Sequence, residues 1–142
     1  IRKIRKAVSR MLTVFPFEAE IYEKAGIPVS YVGHPLADML ASAPSRAEAR
    51  AGLRIPVSAP VVALLPGSRV SELESLADVF VAAAEKIAGE IDGVRLLVPL
   101  VNRQTRELFE AALYRRQSGE LDIKLLFGHA HDAMAAADVG AV

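Results

Sequence analysis

The sequence predicts an α/β fold in which parallel strands alternate with helices, and three observations support this prediction. Strand-like and helix-like segments alternate from residue 61 to the end of the 142-residue chain. Residues 61–65 form an apolar run, which is typical of a strand buried on both faces of a parallel sheet. Residues 70–91 then repeat apolar side chains at helical spacing. Such alternation predicts a doubly wound parallel sheet with right-handed crossovers.

The composition indicates a folded core and restricts the class of protein. Apolar residues make up 52% of the chain, which argues against global disorder. No apolar run is long enough to span a bilayer, and a cytoplasmic location is the default expectation. The absence of cysteine excludes disulfides and thiolate metal sites. Lys and Arg outnumber Asp and Glu by nine to five in residues 1–57, whereas acids lead by twelve to eight in residues 58–142. This split suggests two regions with different partners.

The first region predicts a helix, a strand, a helix and a strand. Residues 1–12 have an amphipathic pattern, and residues 11–15, 17–25 and 29–32 follow as strand, helix and strand. The first helix carries five cations: Arg2, Lys3, Arg5, Lys6 and Arg10. Two interpretations of this basic segment remain open. It is either a face that approaches anionic lipid or phosphate, or a solvated helix face that packs on a sheet.

The middle of the chain predicts a domain boundary. Residues 36–60 are rich in Ala, Ser and Pro and contain one short helical pattern at 46–53, as expected of a linker. The predicted domains are therefore 1–38 and 58–142, joined by a linker over 39–57. The second domain is expected to contain strands 61–65, 94–98 and 123–127, helices 70–91, 103–116 and 130–136, and a strand that begins at 139. Both ends fall inside predicted elements, and we expect the chain to be a piece of a longer protein.

A candidate anion site follows the first buried strand. Gly67 allows a tight turn, Ser68 supplies a hydroxyl, and Arg69 supplies a guanidinium just before a helix. Amides at a helix N-terminus, together with an arginine, suit a phosphate group. Ser71 and Glu74 predict a capping box for this helix. The alternative is an ordinary turn with a solvated arginine, since the turn lacks both the dinucleotide-binding glycine pattern and the P-loop lysine.

Other polar groups fall at the ends of the following strands. Asn102 and Gly128 follow the second and third strands of the second domain, at the edge where such sheets bind ligands. Asn102 is equally suited to capping the next helix. His34 lies in a Gly-Pro turn and either contacts a phosphate or sugar hydroxyl or only shapes the turn. His129 and His131 are poorly spaced for a metal and lack a third ligand, so no metal is expected.

Four sequence phrases become specific when they are read together. In order they are FPFE at 15–18 with Tyr22, GHPLAD at 33–38, LLPGSR at 64–69 with Glu72, and VPLVN at 98–102. This ordered set resembles the lipid-A-disaccharide synthase family, which consists of inverting glycosyltransferases of bacterial outer-membrane biosynthesis. The resemblance covers essentially the whole chain. This chain has Val70 where the family also has alanine or glycine, and this difference is not expected to affect Arg69.

The resemblance implies a B-type glycosyltransferase with two facing Rossmann-like domains. It implies transfer of 2,3-diacylglucosamine from its UDP carrier to 2,3-diacylglucosamine 1-phosphate, which yields the β-1,6-linked disaccharide 1-phosphate and UDP. It further implies a cytoplasmic protein, peripheral at the inner membrane, that meets an anionic membrane surface. No cofactor and no nucleic acid are expected.

The resemblance also implies a set of substrate-binding residues. Gly67, Ser68, Arg69 and Asn102 would face the sugar-nucleotide donor, and His34 is a further candidate. The stretch from Gly128 to Met134 matches a region that contacts uracil through backbone groups in related enzymes.

The resemblance places the general base upstream and a UDP-binding Ser-Gly-Thr segment downstream. Catalytic residues therefore stay unknown, and the chain alone is expected to be inactive. Two other functions remain open. One is a UDP-sugar 2-epimerase of the same architecture, against which the ordered phrases argue. The other is a non-catalytic nucleotide-binding module.

Overall fold

The computed structural model describes residues 1–41 and 43–142, and the chain forms two compact units, Ile1–Ala43 and Pro44–Val142. Ser42, which falls in the predicted linker over 39–57, lies outside the described residues. The structure confirms the predicted α/β class, because each unit contains a parallel sheet and strands alternate with helices.

The first unit contains a two-stranded parallel sheet and three helices. Its elements are α1 (Arg2–Ala7), β1 (Met11–Thr13), α2 (Pro16–Lys24), β2 (Val29–Tyr31) and α3 (Pro35–Ala41). The prediction of a helix over 1–12 is wrong beyond Ala7, because Val8 is extended and Met11 pairs with Val29 of β2. Pairing of β1 with β2 therefore overrides the helical spacing. Helix α3 was not predicted, because its segment was assigned to a linker on composition.

The second unit contains a four-stranded parallel sheet in the order β5-β4-β3-β6. Its elements are α4 (Arg46–Gly52), β3 (Val61–Leu64), α5 (Val70–Glu90), β4 (Arg95–Leu100), α6 (Arg103–Arg115), β5 (Ile123–Phe127), α7 (Ala130–Ala136) and β6 (Val139–Ala141). The predicted alternation in this region is confirmed. Helix α4 packs against α7, so this part of the predicted linker lies within the second unit.

Both faces of the four-stranded sheet are covered, which makes it doubly wound. In β3, Val62 and Leu64 join a core with α5 and α6, whereas Val61 and Ala63 join a second core with α4 and α7. Alternation of side chains between the two faces explains why the whole strand is apolar. The five-residue apolar run therefore correctly predicted a buried parallel strand.

Strand β4 continues through Pro99 to Leu100, whereas the sequence predicts that this strand ends at residue 98. Pairing of β4 with β3 ends at Leu97, opposite Ala63, while pairing with β5 continues through Pro99 and Leu100. Beyond Leu97 one side of β4 has no paired strand in the described residues, so a residue without an N–H breaks no ladder there. Proline is tolerated in sheets at such edge-like positions.

Candidate functional site

The parallel sheet of the second unit brings the ends of β3, β4 and β5 to one edge. Strand β4 lies on one side of β3 and β6 lies on the other, so the strand order reverses direction at β3. In open α/β sheets, ligands bind outside the carboxyl ends of the strands at such a switch point. The turn Gly67–Arg69 leaves β3 at this point and leads directly into the 21-residue helix α5.

Gly67 is required by the close approach of Glu72. Its φ is +121°, and a Cβ at this position would lie 2.6 Å from both Cβ and Oε2 of Glu72. Any side chain would therefore clash as well as strain the backbone. The absence of a side chain at Gly67 therefore lets the backbone of the turn contact the Glu72 side chain.

The Glu72 carboxylate accepts three hydrogen bonds from the turn. Its Oε2 accepts from the amides of Ser68 and Arg69 at 2.8 and 3.0 Å, and its Oε1 accepts from Nη1 of Arg69 at 2.9 Å. The pKa of Glu72 lies below its ordinary value of 4.5, mainly because the Arg69 amide donates to the carboxylate. The Ser68 amide and the charge of Arg69 lower this pKa further. The predicted Ser71/Glu74 capping box is wrong: α5 begins after Arg69, and Glu72 is its third residue.

Arg69 is the most exposed charged group of the turn, with 79% of its side chain accessible. Glu72 engages Nη1, so the other guanidinium N–H groups face outward as donors for an anion. Val70 and Ser71, the first two residues of α5, have amides without an intrahelical partner. The positive end of the α5 dipole adds to this field. Chemically, this arrangement can hold a phosphate or stabilise negative charge on a leaving group.

Asn102 caps helix α6. Its Oδ1 accepts from the Thr105 amide at 2.9 Å, and the Thr105 hydroxyl donates to the Asn102 carbonyl at 2.8 Å. The capping alternative is therefore present in the structure. Within residues 1–41 and 43–142 no group accepts a hydrogen bond from the Asn102 side-chain nitrogen, which lies exposed at the same edge as Arg69. Capping and ligand contact are compatible at this residue.

Gly128 continues the same edge after β5. Its φ is +72°, and its amide donates to the Leu100 carbonyl at 2.8 Å, which joins the ends of β4 and β5. His129 follows in the left-handed conformation, at φ +55°, and its Nδ1 lies 2.7 Å from Asp132 Oδ2. Met134 lies farther along α7 with 45% of its surface exposed. The structure thus brings the turn Gly67–Arg69, Asn102 and Gly128 to adjacent strand ends, whereas Met134 lies within α7.

His34 belongs to the first unit. Its Nδ1 accepts from the Leu36 amide at 3.2 Å, and its ring lies 5.9 Å from that of Phe15. Phe15 in turn stacks on Phe17 with ring centroids 5.7 Å apart. His34 therefore shapes the turn that leads into α3, as the structural alternative predicted, and its exposed ring also faces solvent.

Sequence reasoning missed one group at the candidate site and one elsewhere in the second unit. Glu72 entered the sequence analysis only through the family resemblance, although a carboxylate three residues after the N-cap residue of a helix is a recognised capping signal. Arg50 was not noticed at all. It is buried at 4% exposure, and Nε donates to the Ala136 carbonyl at 2.9 Å, which ties α4 to the end of α7. No local pattern distinguishes this buried arginine from the exposed ones.

Neither a metal-binding cluster nor a membrane-spanning helix occurs in the described residues. In the described parts of the chain, no group of three or more His, Cys, Asp or Glu side chains is arranged to hold a metal ion. Over the same residues, no helix combines the length and apolar character needed to cross a bilayer.

Comparison with known proteins matches one family over nearly the whole chain. A model of the lipid-A-disaccharide synthetase family matches residues 1–142. Lipid-A-disaccharide synthase of Methylobacillus flagellatus is 53% identical over 138 residues, which is 97% of this chain and 36% of that protein. The synthase of Azoarcus sp. is 55% identical over 138 residues, with 97% and 35% covered. That of Dechloromonas aromatica is 47% identical over 143 residues, with 100% and 37% covered. The chain thus spans about 36% of the length of such curated relatives.

Proposed function

The chain belongs to the lipid-A-disaccharide synthase family, and on that premise we propose that the whole protein is an inverting glycosyltransferase. It transfers 2,3-diacylglucosamine from UDP to 2,3-diacylglucosamine 1-phosphate. The observation that carries the proposal for this chain is the position of Arg69 between β3 and α5, beside the reversal of strand order. A diphosphate bound there lies where such sheets bind nucleotides.

The proposed chemistry needs positive charge or hydrogen-bond donors beside the leaving group. An acceptor hydroxyl attacks the anomeric carbon, the bond from that carbon to the diphosphate oxygen breaks, and UDP leaves with the bonding electrons. Negative charge grows on the diphosphate as the bond breaks. The Arg69 guanidinium and the first amides of α5 are fixed before the reaction, and donors fixed in this way lower the barrier. The proton of the acceptor hydroxyl passes to a base that we assign to the part of the protein preceding residue 1.

The remaining predicted site residues take supporting roles in this proposal. Asn102 keeps α6 capped and offers its side-chain nitrogen to the donor. The backbone from Gly128 to Met134 contacts uracil, and His34 belongs to the acceptor side. Residues 1–142 alone do not turn over, because the base and part of the UDP site lie outside them.

We further propose that the protein works at the cytoplasmic face of the inner membrane through its basic first segment. Ile1, Ala25 and five cations line one cavity of about 580 Å³. The cations are Arg2, Lys3, Arg5, Lys6 and Lys24. Clustered cations near an anionic leaflet attract a protein to it, and the proposed substrates are acylated.

Product analysis of the full-length protein tests the central proposal. With the UDP-linked donor and the monosaccharide 1-phosphate, we expect equal amounts of disaccharide 1-phosphate and UDP. Formation of an epimerised UDP-sugar without disaccharide supports the 2-epimerase instead. UDP binding without any turnover supports a binding module, and either result overturns the proposal.

A further inference from the structure

We propose that Glu72 is a positioning residue for the diphosphate, which it serves by fixing the Gly67–Arg69 turn and orienting the Arg69 guanidinium. The inference rests on the proposed function, because it concerns the same anion site. It assigns a role to a carboxylate that does not itself touch the ligand.

The two oxygens of Glu72 have different partners. Oε2 binds the backbone of the turn through the Ser68 and Arg69 amides, while Oε1 binds the side chain of Arg69. One carboxylate therefore connects the backbone position of Arg69 to the direction of its guanidinium. An exposed arginine otherwise populates many rotamers, and holding one of them reduces the entropy lost when a ligand binds.

The approach of the backbone to Glu72 shows that this arrangement is built into the turn. A Cβ on Gly67 would lie 2.6 Å from the Glu72 carboxylate oxygen Oε2, so the turn leaves room for the carboxylate by having no side chain there. Glu72 is also only 32% exposed on its side chain, whereas Arg69 is 79% exposed. The carboxylate is thus the inner member of the pair, and the guanidinium is the outer one that meets solvent.

This geometry determines which donors remain for a phosphate. The Ser68 and Arg69 amides are already bonded to Glu72, so they are not free to donate to the anion. The free N–H groups of the guanidinium and the first amides of α5, at Val70 and Ser71, remain. A carboxylate bound to amides can instead act as an internal competitor that phosphate displaces. The two roles predict effects of opposite sign when the charge of Glu72 is removed.

The experiment is a double-mutant cycle on the full-length protein, with UDP as the probe and calorimetry as the measurement. Glu72→Gln keeps an oxygen for the amides but removes the charge that holds Arg69. We expect five- to tenfold weaker UDP binding, a KM for the donor that rises more than kcat falls, and a Tm close to wild type. In the Arg69→Ala background the same change is expected to have no further effect, because coupled residues are not additive.

Glu110→Gln is the matched control, since Glu110 pairs with Arg106 at 2.8 Å on α6 without binding a turn. It should leave UDP binding unchanged. Glu72→Asp is a second variant that keeps a charged capping residue but withdraws the carboxylate by one methylene. We expect it to weaken UDP binding in the same direction, and wild-type affinity in this variant would contradict positioning.

The outcomes separate the inference from the proposed function. Tighter UDP binding in Glu72→Gln identifies an internal competitor and overturns the inference. So does an equal loss in the wild-type and Arg69→Ala backgrounds, because Glu72 then acts independently of Arg69. If Arg69→Ala weakens binding while both Glu72 variants bind normally, only the inference fails. If Arg69→Ala itself binds UDP like wild type, the proposed role of the turn fails as well.

Discussion

Arg50 and Asp138 form an ion pair across 88 positions of sequence, with Nη2 of Arg50 2.9 Å from Oδ2 of Asp138. The arginine is buried, and it also donates to the carbonyls of Ala136 and Val57. Asp138 accepts from the Val61 amide at 2.9 Å. The pair therefore joins α4 to the starts of β3 and β6, the two strands between which the strand order reverses.

We expect Arg50→Ala to destabilise the protein strongly. It leaves the buried carbonyl of Ala136 and the part-buried carbonyl of Val57 without their donor and removes an ion-pair partner of Asp138. Together these losses cost about 2–4 kcal/mol in unfolding free energy. Arg46→Ala is the matched control, because Arg46 pairs with the same carboxylate from an exposed position. Its effect should be small. Urea unfolding of both variants measures the difference, and equal midpoints would contradict the structural role of Arg50.

Acid is expected to destabilise the protein partly through Asp138. The Val61 amide, followed by Arg50 and Arg46, holds the pKa of Asp138 below its ordinary value of 3.8. A carboxyl with a lowered pKa in the folded state stabilises the fold above its unfolded pKa. That contribution is lost as pH falls through the folded pKa. It should therefore be complete above about pH 5 and decline below about pH 4.

Asp138→Asn isolates this contribution from those of other carboxyl groups. The variant should be less stable than wild type at neutral pH, and the gap should narrow as both are titrated to acid. Chemical unfolding at several pH values provides the measurement. A gap that stays constant with pH means that the charge of Asp138 does not contribute.

Replacing Arg69 is expected to reduce catalysis without unfolding the protein. In the full-length enzyme, Arg69→Ala should lower kcat/KM by about two to three orders of magnitude, as for loss of one preorganised donor. Arg69→Lys should restore only part of the rate, because a lysine lacks the planar fork. Arg106→Ala, which removes an arginine of a helical ion pair on α6, is the control. A folded Arg69→Ala enzyme with wild-type kcat/KM would remove Arg69 from the site.

Asn102 allows a test that separates capping from ligand contact. Asn102→Asp keeps the oxygen that accepts from the Thr105 amide but replaces the side-chain nitrogen with a charged oxygen. Stability should therefore be preserved, whereas UDP affinity should fall by repulsion from the diphosphate. Thermal melting and UDP titration are the two measurements. If affinity and activity both survive, the direct donor contact is wrong and capping is the role that remains.

Membrane attraction through the basic segment is tested with anionic vesicles. Lys3, Arg5 and Lys6 changed together to Gln should reduce sedimentation of the full-length protein with these vesicles. Each cation near an anionic leaflet contributes at most about 1 kcal/mol, and salt screens it. A triple Gln variant of Lys86, Arg106 and Arg115 controls for net charge alone. Equal binding by both variants, insensitive to salt, would assign the basic segment to a solvated face.

Much of the second unit was predictable because its signals are local. The apolar run at β3 and the helical spacing of α5 identify buried elements without reference to distant residues. Parallel strands then necessarily share an edge, so the positions of Arg69, Asn102 and Gly128 at strand ends also followed from sequence. Whether these residues bind the donor stays a prediction.

Other features depended on what each segment meets in space. Met11 leaves a helical pattern because it pairs with Val29, and Pro99 stays in β4 because pairing with β3 has already ended there. The role of Glu72 depends on the turn, whose amides donate to its carboxylate. The burial of Arg50 depends on its ion pair with Asp138.

The sequence by itself therefore determined the order of elements from β3 onward, the buried strands and the edge at which the candidate anion site lies, because periodicity and turn residues act over a few positions. Only the tertiary structure decided where α1 ends, which carboxylate caps α5 and which arginine is buried. Those outcomes depend on strand pairing, on the backbone conformation of a turn and on the desolvation of a charge. Each of these is set by neighbours in space rather than by neighbours in sequence.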